Sequence, residues 1–338
     1  MNNLMSERIK GVLVGGAYGD AMGMPTEGWS YQRIKQKFPQ GVEKFYPSQV
    51  DDISDRGFSA GEITDDTINT LMIVRSIADC QGQLNAENYV QQLIKWHEES
   101  GISHLVSGPT TLNAINQIKN GISLMDTGKF GTTNGAAMKI SPIGVISDYR
   151  NLDTLIQRVE QICLPTHHTS IAIAGASAVA ACVSYVVRGG ESISDLWELA
   201  YQVIQQCQTT GTDFPTPSLI KRMRLANKIV KESSRDKALF RLYDEVGSGV
   251  QTIETIPAVF GIIELAEGNP IVAGQLASSI GGDTDTIGAI ACGICGGLYP
   301  KLLSEEIEGK LSQVNEINFY QYTHQLLAYT DEKIEVSR

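Results

Sequence analysis

Gly11, Gly15 and Gly19 recur every fourth residue along one apolar run, GVLVGGAYGDAMG. At about 3.6 residues per turn, such glycines share one helix face and leave a smooth stripe for a second helix. The pattern predicts a helix from Ser6 to Met22, with Ser6 as its N-cap and its end before Pro25. Helical periodicity continues over 64–80, 86–100, 109–119, 152–163 and 168–187. It resumes over 194–207, 217–232, 236–246, 255–266, 270–279, 286–298 and 316–330. The linkers between them are short and carry Gly, Pro or Asn, strand signals are scarce, and βαβ alternation is absent. No repeat of roughly 20–45 residues is visible. The expectation is an all-α fold of many short helices, with residues 1–338 as one domain, since no linker or composition shift divides the chain.

A formal net charge of −11 over 338 residues argues against nonspecific nucleic-acid binding. Six cysteines without regular spacing read as thiols of a reducing compartment, and MNNLMSERIKG lacks the apolar core of a secretory signal. Residues 169–187 are uncharged, but Ala, Ser and Gly dominate them, so they read as a buried helix and not as a membrane span. The expected setting is cytoplasmic, without a membrane partner. Nothing in the sequence fixes an oligomeric state.

Two stretches carry acid where a helix begins. In EITDDTINTLMIV, Thr64 sits where an N-cap belongs, and Asp65 and Asp66 fall in the first turn, where the helix dipole favours negative charge by about 0.3–1 kcal/mol. In SSIGGDTDTIGAI, Asp283 and Asp285 flank Thr284, and Thr286 follows a glycine turn. Capping explains one of these aspartates more readily than two. Should the two helix starts meet, four carboxylates and threonine hydroxyls would share one pocket, an arrangement that destabilises the fold unless a cation neutralises it. Oxygen ligands of this kind suit Mg²⁺ or Mn²⁺, and the number of ligands suits two ions. A third stretch, GGAYGDAMGMPTEG, brings Asp20 and Glu27 to a helix exit from which a carboxylate can reach a neighbouring site.

Together GGAYGDAMGMPTE, TDDT, TNGAAMKISPIG, PTHH and GGDTDTIGAIACGICGGLY, in that order over about residues 8–300, resemble the ADP-ribosylglycohydrolase family. That group includes the dinitrogenase reductase-activating glycohydrolases and the ADP-ribosylhydrolases. The resemblance implies a compact orthogonal multi-helix bundle of that type, with a binuclear Mg²⁺ or Mn²⁺ site held by Thr64, Asp65, Asp66, Asp283, Asp285 and Thr286. It further implies Glu27 as a gating or catalytic glutamate, with Asp283 among the carboxylates that assist proton transfer. Thr133, Asn134, Gly135, Met138 and His167 are implied as the lining of the phosphate and ribose pocket. The implied activity is metal-dependent hydrolysis of a ribosyl N- or O-glycosidic bond. Its substrate would be ADP-ribosylated protein, nucleic acid or a small ADP-ribose conjugate.

Departures from the family pattern bear on the leaving group. Thr133-Asn134-Gly135 stands where many ADP-ribose-cleaving members read Gly-Asn-Gly, and Lys139 stands where an arginine is usual. Val106-Ser107-Gly108 replaces the Asp-x-Gly of the arginine-specific branch, its candidate general base. These changes leave the metal residues intact and admit a second reading, a nucleoside-like N-ribosyl hydrolase of a small metabolite. A non-catalytic binder of ADP-ribose is a third, disfavoured by the complete ligand set. Cys292-x-x-Cys295 falls inside an apolar helix with no second Cys or His pair, so structural zinc is not expected there.

Overall fold

The glycine stripe packs against a second small-residue face. Helix Asn2–Gly23 runs along helix Thr284–Leu298, and these two make the most extensive contact between elements in the fold. A Cβ built on Gly11, Gly15 or Gly19 would overlap the backbone carbonyl of Gly296, Cys292 or Gly288 respectively, and one on Gly23 would overlap Thr284. The helix axes can approach this closely only because those positions carry no side chain. Gly16 sits off the seam, where a Cβ would make an ordinary 3.7 Å contact with the Ala289 carbonyl. Gly19→Ala is therefore expected to destabilise by about 3 kcal/mol or more through overpacking. Gly16→Ala should be neutral or gain up to about 1 kcal/mol of helix propensity. Urea denaturation of the two variants checks the contrast, and equal midpoints would count against the packing.

The computed structural model describes residues 2–50 and 56–330. Among them are eighteen α-helices, no strand, and two isolated β-bridges, Thr133–Gln251 and Thr169–Thr212. Around the central pair pack helices Pro270–Ile280, Thr252–Leu265 and Ser170–Val187. Ser170–Val187 is long and apolar enough to cross a bilayer, but 89% of it is buried inside the protein, as its Ala, Ser and Gly content anticipates.

Several expected bounds move. The first helix starts at Asn2 and not at Ser6, because Met5 already packs against the core, a stronger pull than Ser6's preference for the N-cap. Residues 236–246 divide into helix Arg235–Arg241 and a π turn, Leu242–Val246. Helices Tyr31–Lys37, Ser103–Val106, Leu124–Thr127 and Ser141–Ile146 have no counterpart in the periodicity, being too short to show two turns of pattern. Glu305–Asn315 escapes for another reason: its apolar stripe is thin, Ile307, Leu311 and Val314 among charged and polar residues, and only Leu311 is buried.

Candidate metal and glycoside site

Three chain segments build the site, and main-chain bonds fix their mutual position. Gly281 and Gly282 both take positive φ (89° and 77°), turning the chain between helices Pro270–Ile280 and Thr284–Leu298. Through that turn Gly28 N–H donates to the Gly282 carbonyl (2.7 Å) and Gly282 N–H to the Trp29 carbonyl (2.8 Å). Glu27 thereby comes beside Asp283, whose own N–H donates to the Ser248 carbonyl (2.7 Å). From the opposite side, Asn134 N–H donates to the Val250 carbonyl (2.9 Å) and Thr252 N–H to that of Thr132 (3.2 Å), docking the 133–138 segment.

The two acidic helix starts meet. Thr64 is the N-cap residue of helix Asp65–Asp79 by position, but its hydroxyl does not cap. Capping comes from Asp20 of the first helix, wholly buried, which accepts from Thr64 N (2.9 and 3.1 Å), Thr67 N (3.1 Å), Thr64 Oγ1 (2.9 Å) and Thr67 Oγ1 (2.6 Å). The Thr64 hydroxyl has one proton, and its shortest contact takes that proton to Asp20. Its lone pairs then face Asp66 Oδ2 (3.3 Å) and Asp285 Oδ2 (3.5 Å), while Thr286 Oγ1 reaches Asp66 Oδ2 (3.3 Å). Asp66 Oδ1 is buried without any hydrogen-bond partner. At the second helix start neither aspartate is a conventional cap: Asp283 makes no side-chain cap bond, and Asp285 Oδ1 accepts from the neighbouring Thr286 N (2.9 Å).

Such an arrangement, with acceptors facing acceptors and one carboxylate oxygen orphaned, is what a hard cation would relieve. Glu27, Asp283 and Asp285 can each bring a carboxylate oxygen to within 4.8 Å of the other two. The residues present fit a divalent cation held by Thr64, Asp66, Asp285 and Thr286, with Asp65 and Asp283 adjacent. Burial, reinforced by neighbouring negative charge, pushes Asp66 and Asp285 well above the usual carboxylate range. The same causes raise Asp65 to about 8 and Asp283 to about 7. A cation held here would displace protons from these carboxylates near neutral pH.

Glu27 occupies the mouth. Arg56, buried, donates to Glu27 Oε2 and, through Nη2, to the Met24 carbonyl (3.0 Å). Burial and the Asp285 charge raise Glu27, and Arg56 opposes them. Arg56 was missed in the sequence because nothing local to Asp-Arg-Gly-Phe sets it apart from a solvated loop arginine. Asn134 Nδ2 donates to Asp283 Oδ2 and to Thr255 Oγ1 (2.8 Å), orienting the Asp283 carboxylate.

These residues line a cavity of 110 Å³ that also takes in Val106, Thr110, Thr133, Gly135, Met138 and His167. Every expected site residue except Thr64 lines it, and Thr64 lies behind its wall against Asp66 and Asp285. Neither lysine nor arginine is among the lining residues: Lys139 is buried behind it, where desolvation lowers its pKa to about 8. His104, His97 and Trp29 are not part of the lining, and Trp29 is buried with the Arg33 guanidinium 3.8 Å from its ring centre. Cys292 and Cys295 are buried free thiols. A larger groove of 660 Å³, beside Arg75 and Trp96, carries only exposed acids (Asp79, Glu99 and Glu316) and no orphaned buried atom. The carboxylate cluster and the orphaned Asp66 oxygen lie at the smaller cavity.

The family model of the ADP-ribosylglycohydrolases matches residues 1–329. The chain is 33% identical over 333 residues to YegU, an uncharacterised protein of Escherichia coli, covering 98% of this chain and 99% of that one. It is 30% identical over 325 residues to an uncharacterised protein of Archaeoglobus fulgidus, covering 92% and 98%. The ADP-ribosylhydrolase ARH3 of Xenopus tropicalis is 22% identical over 320 residues, covering 86% and 87%. A solved structure described as an ADP-ribosylglycohydrolase-related protein complex has the same fold, with a TM-score of 0.70 at 19% identity over 98% of this chain and 99% of that one.

Proposed function

The chain belongs to the ADP-ribosylglycohydrolase family, and from that premise we propose that it is a metal-dependent hydrolase of a ribosyl glycosidic bond. The observation that carries this reading is the orphaned Asp66 Oδ1 in a buried ring of carboxylates around one small cavity. Thr64, Asp66, Asp285 and Thr286 would hold Mg²⁺ or Mn²⁺, with Asp65 and Asp283 completing a set suited to two ions. When bound, such ions neutralise the carboxylates and lower the pKa of water.

The protein's own groups supply the rest. Asp283, held by Asn134, presents an oriented carboxylate that can accept a proton beside the anomeric carbon. Glu27, steadied at the mouth by Arg56 and raised toward neutrality, is suited to hold a proton for the departing group. Thr133, Asn134, Gly135, Met138 and His167 form the wall against which the ribosyl group is held. Segments from Glu27 to Thr286 line this one pocket, which supports a single domain over 1–338. The free buried thiols suit the cytoplasmic setting that we propose with it.

ADP-ribosyl conjugates are the substrate class that the family indicates. A specific observation favours the second reading, a small ribosyl compound. At 110 Å³ the cavity is below the ~300 Å³ usual for ligand pockets, and its lining carries acids but no lysine or arginine to meet a diphosphate. A screen of ADP-ribosyl conjugates and simple nucleosides with Mn²⁺ or Mg²⁺, read as released ADP-ribose, ribose or base, tests both. Hydrolysis that stops on chelation and returns with added metal is expected. Intact substrates across the whole panel, with bound metal verified, would overturn the hydrolase reading, and binding of ADP-ribose without turnover would leave a binder.

A further inference from the structure

Behind the cavity wall, one line of side chains runs from a buried lysine to the pocket. Lys139 Nζ donates to Thr166 Oγ1 (3.3 Å) and lies 5.2 Å from the centre of the Tyr89 ring. Thr166 Oγ1 is 2.8 Å from His167 Nδ1, and His167 Nε2 is 2.9 Å from Thr133 Oγ1. Thr133 and His167 both line the cavity; Thr133 is half-buried, and Lys139, Thr166 and His167 are each 1% exposed. The imidazole cannot swing out of this line, since Gly135 packs so close that a Cβ there would stand 2.7 Å from His167 Cε1.

The direction of the line follows from which groups can donate. A lysine ammonium only donates, so Thr166 Oγ1 must accept from it. The Thr166 hydroxyl proton then has one acceptor in reach, His167 Nδ1. Burial, reinforced by the Lys139 charge, lowers the His167 pKa well below its ordinary value, so the ring is neutral and has a single N–H. That N–H is left on Nε2 and donates to Thr133 Oγ1. With a lone pair so occupied, the Thr133 hydroxyl turns its proton to the cavity side, where it donates only a long bond to the lining Thr110 Oγ1 (3.5 Å), one that a closer ligand oxygen would replace.

We propose that Thr133 is a specificity-determining hydrogen-bond donor, its hydroxyl proton aimed at an acceptor oxygen of the ligand by the fixed order Lys139, Thr166, His167. Lys139, Thr166 and His167 are positioning residues that never touch the ligand's acceptor themselves. The buried positive charge at the far end polarises each bond in the same sense, which strengthens the last donor toward an oxygen that is anionic or becoming so. A ligand presenting a donor at that point meets another donor and is rejected. The proposal rests on the ribosyl-hydrolase reading only for the identity of the ligand.

Two measurements on the full chain test it. The first is nitrogen NMR of histidine-labelled protein, with His167 assigned by a His167→Gln variant. An unprotonated Nδ1 and a protonated Nε2 are expected, and the reverse tautomer would overturn the order of the line. In Lys139→Met, Thr166 is released to accept from Nδ1–H, so the tautomer should shift at least in part. A folded Lys139→Met protein with an unchanged tautomer would remove Lys139 as the origin of the polarity. The second measurement is calorimetric titration with ADP-ribose and with D-ribose, Mg²⁺ present, and needs no change in the interior. Thr133→Val should weaken the probe that binds by about tenfold, while Thr133→Ser should stay within about threefold. Equal affinities of wild type and Thr133→Val would overturn the donor role. If neither probe binds wild type, the ribosyl reading and the ligand role of Thr133 both fall, while the tautomer still decides the relay.

Discussion

Asp285→Asn is expected to lose cation binding and at least about 10³-fold of glycoside hydrolysis, yet to give a more stable metal-free protein than wild type. The two effects have one cause. Asp285 Oδ2 faces the Thr64 hydroxyl at 3.5 Å, and burial, reinforced by the charges of Asp283 and Asp20, pushes its pKa well up. In the absence of metal its ionised form is a liability, and an amide of the same shape removes that liability while still accepting from Thr286 N. With metal, the same carboxylate supplies charge that an amide cannot match. Metal content after dialysis, the hydrolysis rate and the melting temperature in chelator together check the prediction. A variant that loses activity but melts lower than wild type in chelator would indicate a structural role for Asp285, and full metal content in the variant would remove it from the ligand set.

The sequence displayed both halves of the site but not the means of joining them. TDDT and GGDTDT are legible because a helix start is a local event: a polar cap position, acid in the first turn and an apolar run all lie within a few residues. The glycine stripe at Gly11, Gly15 and Gly19 was legible for the same reason, and its partner surface at Gly288, Cys292 and Gly296 carries the matching four-residue step. What was hidden depends on contacts between distant segments. Asp20 is legible as an acid near a helix exit that can reach a neighbouring site, but not as the cap of a helix whose N-cap position lies 44 residues on, which leaves the Thr64 lone pairs to face the carboxylates. Arg56 bears on Glu27 from across the pocket mouth, and Thr166 matters only because Lys139 ends beneath it. No periodicity records such pairings. Lys139 stands out in TNGAAMK as a departure in type, but its burial and its direction of donation are properties of the fold.

Without metal, the protein should become less stable as pH rises from about 5 to about 8, and Mg²⁺ or Mn²⁺ should abolish or reverse that slope. The direction follows from the carboxylates. Asp65, Asp283 and Glu27 start from ordinary values of 3.8 and 4.5 and rise on folding to about 8, 7 and 8, and Asp66 and Asp285 move the same way. A group whose pKa is higher in the folded than in the unfolded chain binds its proton more tightly when folded. Its stabilisation is complete below the unfolded value and is lost as pH climbs through the folded one. For Asp283 alone the shift sets an upper limit of about 4 kcal/mol, and coupling within the cluster prevents a simple sum. A net loss of about 3 kcal/mol would lower the melting temperature by roughly 4 °C. Two groups have the opposite sign: Asp148, which Arg150 holds below the ordinary range, is spent below pH 4, and His167, which burial holds well below its ordinary 6.5, adds stability as pH rises toward that value and offsets part of the loss from the five carboxylates. Cation binding inverts the slope because the ligands bind as carboxylates, so affinity grows as their protons leave. Scanning calorimetry at several pH values, with chelator and with metal, reads both curves. A metal-free melting temperature that rises from pH 5 to pH 8 would mean that the buried carboxylates are neutralised by groups of the protein itself, and the argument for a cation at this site would fail.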